Sequence, residues 1–119
     1  MIAAEAHDAT LAALRPGARA GDVYAAWQGV VDAVGLSHHR RHHCGYAVGI
    51  AFPPSWTGGP SVTGLRAGSD LEIATGMSFH LMSWLMGCGR GDFFLSNCVL
   101  LTERGAETLT RTPALPFAR

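Results

Sequence analysis

A chain of 119 residues holds one domain at most, large enough for a real core and small for an enzyme with an enclosed cleft. Its formal net charge is zero, so nucleic acid gains no overall attraction, except locally at a His/Arg run. Hydrophobic residues make up 48% and charged residues 15%, against about 25% charged in an average soluble domain, so part of the surface is expected to be buried against another chain or a missing domain.

No apolar run approaches the roughly 18 residues of a membrane span, and no membrane partner is expected. Residues 1–8 carry no basic region followed by an apolar stretch, so no signal peptide is expected. Three cysteines, Cys44, Cys88 and Cys98, form no paired spacing, which fits a reduced, cytoplasmic setting.

In chain order, residues 2–14 are rich in alanine and leucine and predict a helix that stops at Arg15-Pro16-Gly17. Asp22 is the expected N-cap of a second helix. Its apolar stripe is Val23, Trp27, Val30, Val31 and Val34, and Gly35 closes it. A basic run follows, Ser37-His38-His39-Arg40-Arg41-His42-His43-Cys44. Residues 46–52 are short, apolar and glycine-bounded, which predicts a buried strand. The prolines and glycines of 53–60 form a long loop. Further strands are expected over 69–73, 77–85 and 93–101, with a glycine-rich turn at 87–92, and a short terminal strand over 107–109. Helices ahead of an antiparallel sheet make this an α+β chain. Residues 1–110 form one domain and 111–119 an extended tail.

Three segments carry most of the information: Gly45-Tyr46-Ala47-Val48-Gly49-Ile50-Ala51-Phe52-Pro53-Pro54-Ser55-Trp56, Gly76-Met77-Ser78-Phe79-His80-Leu81-Met82, and Val99-Leu100-Leu101-Thr102-Glu103-Arg104-Gly105. In that order and spacing they resemble the C-terminal half of the creatinase/prolidase-type (Xaa-Pro peptidase) family, the pita-bread fold. Leu14-Arg15-Pro16-Gly17 and Asp22-Val23 resemble the helix–turn–helix that precedes the sheet in that family. The resemblance implies half of a pita-bread domain, two helices packed on a curved antiparallel sheet. The pattern Gly45-Tyr46, Gly49, Phe52-Pro53-Pro54 and Trp56 is most similar to the ectoine-hydrolase-like branch.

The family's two-metal site implies one histidine and two glutamates in this half and two aspartates in an earlier sheet. By position Tyr46 stands at the metal-binding histidine, Met82 and Ser96 at the glutamates, and Pro53 at the histidine that assists the reaction. Tyrosine, methionine and serine do not replace the carboxylates and imidazole that hard divalent cations need. No metal and no other cofactor is expected. The resemblance therefore implies a degenerate peptidase-like hydrolase, acting if active on a C–N bond of a small polar or cyclic substrate. The alternatives are a non-catalytic binding module and a C-terminal fragment of a longer hydrolase.

The residues leave several readings open. His38, His39, His42 and His43 suggest a metal, but Arg40 and Arg41 repel a dication; the run is otherwise a polar strand-entry loop, or lines a cleft for a substrate carboxylate. His39, Arg41 and His43 are the substrate-binding candidates from it. Cys44 is a possible nucleophile or a buried thiol. His80, opposite in facing to Phe79 and Leu81, is the acid–base candidate together with Tyr46, or a satisfied sheet histidine. Trp56 and Trp84 wall a pocket or belong to the core. Glu72 and Asp92 read as solvated. The expected partners are a small-molecule or peptide-like ligand and a second copy of the chain, the homodimer restoring the two-half fold.

Overall fold

The computed structural model describes residues 1–111, 113 and 114. Two helices, α1 (Ile2–Ala13) and α2 (Ala20–Ala33), are followed by a short 3-10 turn (Ser37–His39). Five strands come next: β1 (His43–Val48), β2 (Gly64–Arg66), β3 (Ser78–Cys88), β4 (Gly91–Thr102) and β5 (Gly105–Thr108). They form one antiparallel sheet in the order β2-β1-β3-β4-β5, with both helices on one face. This is the expected α+β arrangement. The tail expected over 111–119 falls mainly outside the described residues.

The core lies between helices and sheet. Alternation along β3 sends Phe79, Leu81, Ser83 and Leu85 toward the helices, and β4 sends Leu95, Asn97, Val99 and Leu101 the same way. From α2, Val23, Trp27 and Val31 are buried against them, while Val30 is only partly buried and Val34 is exposed. The expected stripe is thus narrower than the spacing implied, with Val31 its last fully buried member.

Desolvation favours pairing of buried polar groups, and in this layer most are paired, His7 Nδ1 being left without a partner among the described residues. The Trp27 indole donates to Ser83 Oγ at 2.9 Å, and His7 Nε2 lies 2.9 Å from Asn97 Oδ1. The Tyr24 hydroxyl donates to the Arg41 carbonyl at 2.8 Å, which ties the end of the basic run to α2.

Two expectations are corrected together. Residues 69–73 form no sheet strand; Glu72 makes one isolated bridge, to Arg19. The Leu71 and Ser69 carbonyls instead accept from Ala20 and Gly21 N–H, at 2.9 and 3.0 Å. Those are donors of the first turn of α2, which has no intrahelical partner for them. Backbone carbonyls do the work assigned to Asp22, and the helix starts three residues earlier, with Arg19 as N-cap.

The first strand is also shifted. It begins inside the basic run at His43 and ends at Val48, leaving Ile50 and Phe52 exposed in the loop. Gly45 sets its path across β3. Its φ is +152°, and a Cβ there would lie 2.5 Å from the His80 carbonyl oxygen. β2, with three residues in a glycine-rich stretch, was not expected; it pairs with β1 across an irregular register. At the far end, Cys88 pairs with Gly91 to close the β3–β4 hairpin. Asp92, exposed as expected, also fastens this hairpin, accepting from Gly87 N–H at 2.8 Å and the Trp84 indole at 2.9 Å. Those two donors, Gly87 first, hold its carboxyl below the usual carboxylate range.

Candidate functional site

The sheet face away from the helices carries the chemistry. Register places Tyr46 opposite His80, His80 opposite Cys98, Met82 opposite Ser96, and Trp84 opposite Phe94. The three positions the resemblance assigns to metal ligands, Tyr46, Met82 and Ser96, therefore share one face. Their donors do not fit a divalent pair: a phenol, a buried thioether and a hydroxyl replace an imidazole and two carboxylates. Among the described residues, no group of three or more His, Cys, Asp or Glu is arranged to hold a metal ion. Pro53 is exposed in the loop and does not line the cavity described below.

Tyr46 and His80 form the most specific contact on this face. The Tyr46 hydroxyl lies 2.9 Å from His80 Nδ1, with the rings edge-on at 5.2 Å between centroids. Burial lowers the pKa of His80, so its imidazole is neutral at pH 7. In the tautomer protonated at Nε2, Nδ1 accepts the phenolic proton.

A cavity of about 490 Å³ opens beside this pair. Arg41, His42 and His43 line it from the basic run, Tyr46 from β1, Arg66 from β2 and Met82 from β3. Trp56, Ser61, Val62 and Gly64 complete the wall. His80 is not a lining residue; it sits behind Tyr46, which presents the hydroxyl. Burial, followed by electrostatic repulsion from its neighbours His42 and Arg41, lowers the pKa of His43 as well.

The basic run is divided by function. His39 Nδ1–H donates to the Met86 carbonyl at 2.8 Å, and His39 lies outside the cavity wall. Arg40 is held by Asp32 at 2.8 Å, a charge contact without good hydrogen-bond alignment, and donates to the Tyr24 hydroxyl at 3.3 Å. Arg41 alone among the arginines of the run reaches the cavity. Its guanidinium lies over the Trp84 ring, 4.6 Å from the centroid, so Trp84 supports the cavity without lining it.

Trp56 does line the cavity, and it does so with a φ of +62°, a conformation bulky residues rarely adopt. The turn is closed by Trp56 N–H donating to the Phe52 carbonyl and Ala51 N–H donating to the Trp56 carbonyl, each at 3.2 Å. Cys44 points into the core instead. It is fully buried, and burial pushes its thiol up to about 12, which rules against the nucleophile reading.

Arg66 was missed by sequence reasoning. A single arginine in a glycine-rich stretch gives no signal, and only pairing with His43 across β1 and β2 brings it to the cavity.

Residues 1–103 match the family model for metallopeptidase family M24. The chain belongs to that family. Ectoine hydrolase of Halomonas elongata is 32% identical over 107 residues, which are 88% of this chain and 25% of that protein. The crystal structure of dipeptidase PepE from Mycobacterium ulcerans superposes with a TM-score of 0.76 at 28% identity, covering 91% of this chain and 27% of that one. Prolidase from Pyrococcus furiosus gives a TM-score of 0.79 at 21% identity, over 94% of this chain and 31% of the prolidase, and shows the fold alone. The chain spans about a quarter of the length of the curated relatives it matches. It therefore corresponds to one half of the pita-bread fold, and its likeness to ectoine hydrolase agrees with the tyrosine–proline–tryptophan motif. No described helix is long and apolar enough to cross a membrane.

Proposed function

We propose that this M24-family chain is a hydrolase that cleaves a C–N bond in a small polar or cyclic substrate without a di-metal centre. The observation that carries the reading is the Tyr46–His80 hydrogen bond of 2.9 Å at the cavity wall. A neutral imidazole behind a phenol can move a proton in both directions. As water adds to the substrate carbonyl, Tyr46 takes its proton and passes its own to His80. When the C–N bond breaks, the same proton returns through Tyr46 to the leaving nitrogen, so water is consumed and no other reactant is needed.

The relatives' names point to ectoine and dipeptides as first substrates to offer, with products read by mass spectrometry. Turnover should persist in a chelator, and His80→Ala should lower it about 10²–10⁴-fold while circular dichroism stays unchanged. Wild-type turnover in His80→Ala would sink the reading. A binding role without chemistry is supported by the same missing ligand set; it would show as saturable ligand binding with no product. If the chain is a piece of a longer hydrolase, turnover would need the remaining half.

A second copy of the chain is the partner we propose for the exposed apolar surface. Ile50, Phe52, Val62 and Phe94 are all exposed around the open sheet face and its loop. A monomer in analytical ultracentrifugation at micromolar concentration would count against it. The free cysteines Cys44, Cys88 and Cys98 support a reducing, cytoplasmic setting.

A further inference from the structure

The cavity is cationic and has no counter-charge. Two guanidinium groups, Arg41 and Arg66, reach it from different elements, and no aspartate or glutamate lines it among the described residues. Neither arginine makes an ion pair among those residues, whereas Arg19 and Arg40 both do. Two of the lining residues also keep a buried polar atom with no hydrogen-bond partner, Arg41 Nε and His43 Nδ1. The Gly45 peptide lies near His43 and counters part of its lowered pKa, but it is not aligned to hydrogen-bond.

Leaving a buried donor unpaired costs about 1–3 kcal/mol, more when it is charged, so an anionic acceptor between these residues is stabilising. Arg41 is already oriented to meet one. Its face is on Trp84 and its Nη1 points to the Met86 sulfur at 3.7 Å, which leaves its Nη2 donors free for a planar acceptor. His43 is neutral and can place a proton on Nδ1. Trp56, Val62 and Met82 give the same cavity an apolar wall. A volume of about 490 Å³ suits a small molecule rather than a long peptide.

We propose that the cavity seats a carboxylate between Arg41 and Arg66, with His43 as a third donor, and that the substrate is a small carboxylic acid with a flat, largely apolar body against Trp56. Arg66 is then a specificity-determining residue. The proposal rests on the cavity being the substrate site of the hydrolase reading above, and it names the class of substrate. Guanidinium matches a planar carboxylate with paired donors, and Trp56, fixed in its strained backbone turn, offers a preset wall.

The test uses binding alone, so it is separable from turnover. Benzoate, benzamide and inorganic phosphate are titrated against the full chain and followed by tryptophan fluorescence and amide NMR shifts. Benzoate should saturate at least about tenfold more tightly than benzamide, because only the anion makes charge-assisted hydrogen bonds. Phosphate, which lacks the flat body, should bind more weakly than benzoate. Arg66→Ala, on an exposed strand position, should weaken benzoate about tenfold and benzamide hardly at all, with Arg66→Lys in between. Equal binding of benzoate and benzamide, phosphate as tight as benzoate, or no change in Arg66→Ala would each overturn the carboxylate seat. Any of these, with chelator-resistant and His80-dependent turnover intact, would leave the hydrolase reading standing.

Discussion

Tyr46 Oη and His80 Nδ1 lie 2.9 Å apart on the open sheet face, at a position the family resemblance assigns to a metal ligand. The hydroxyl is engaged by a side chain two residues before Met82, and this phenol–imidazole pair and thioether do not suit a hard divalent cation. Millimolar Mn²⁺ or Co²⁺ should therefore leave the melting temperature unchanged. A folded-state site at a hundredfold excess over Kd would add about 2.7 kcal/mol of stability, a shift easily seen by calorimetry. A rise of that size on adding metal would refute the absence of a site.

Gly45 is the residue that lets β1 lie on β3. A Cβ at this position would meet the His80 carbonyl oxygen at 2.5 Å, in a φ region that side chains avoid. Gly45→Ala should cost about 1–3 kcal/mol in chemical denaturation, from clash and strain. Gly91→Ala, with nothing within 4 Å of the added carbon, is the matched control and should stay near wild type. Equal losses in the two variants would show that the close approach is not what fixes the strand.

The long elements were legible because their patterns repeat. α1 and the β3–β4 hairpin show helical or alternating apolar spacing over ten residues or more, and each lies within a few residues of its expected place. β2 and the bridge at Glu72 were not, since both depend on which backbone groups lie across from them. The site was half legible. Tyr46, His80 and Trp56 could be singled out from the motifs, but His39, Arg41 and His43 look alike in a basic run. Only the fold sends His39 to the Met86 carbonyl and Arg41 and His43 to the cavity.

Trp27 and Ser83 form a buried pair in the centre of the core, with both residues fully buried. Ser83→Ala removes the acceptor and leaves the indole N–H without a partner in an apolar layer. The expected loss is about 1–3 kcal/mol, read as a lower urea midpoint at unchanged slope. A loss under about 0.5 kcal/mol would mean that the indole finds another acceptor.

The cysteines should separate in alkylation. Cys44 is fully buried and its thiol is pushed up to about 12, whereas Cys88 and Cys98 are partly exposed. Under native conditions at pH 8, iodoacetamide should modify Cys88 and Cys98 and spare Cys44, with all three reacting in urea. Native modification of Cys44 at the rate of Cys98, mapped by peptide mass spectrometry, would contradict its place in the core.

Stability should fall as the solution is made acidic, beginning near pH 6.5. Burial lowers the pKa of His7, His43 and His80 below their ordinary 6.5. Between the lowered folded value and 6.5 the unfolded chain binds more protons than the folded one, so stability rises with pH across that window. It is complete above 6.5 and is lost as pH falls toward the folded values. His7 is the most buried of the three, held between α1 and β4 by Asn97, and the nearby Asp8 charge only partly opposes the shift. The melting temperature should therefore be lower at pH 5.5 than at pH 7.5. His7→Gln, which can keep a hydrogen bond to Asn97 without titrating, should flatten the dependence. A melting temperature that is flat or rises on acidification would show that these imidazoles are not held neutral by the fold.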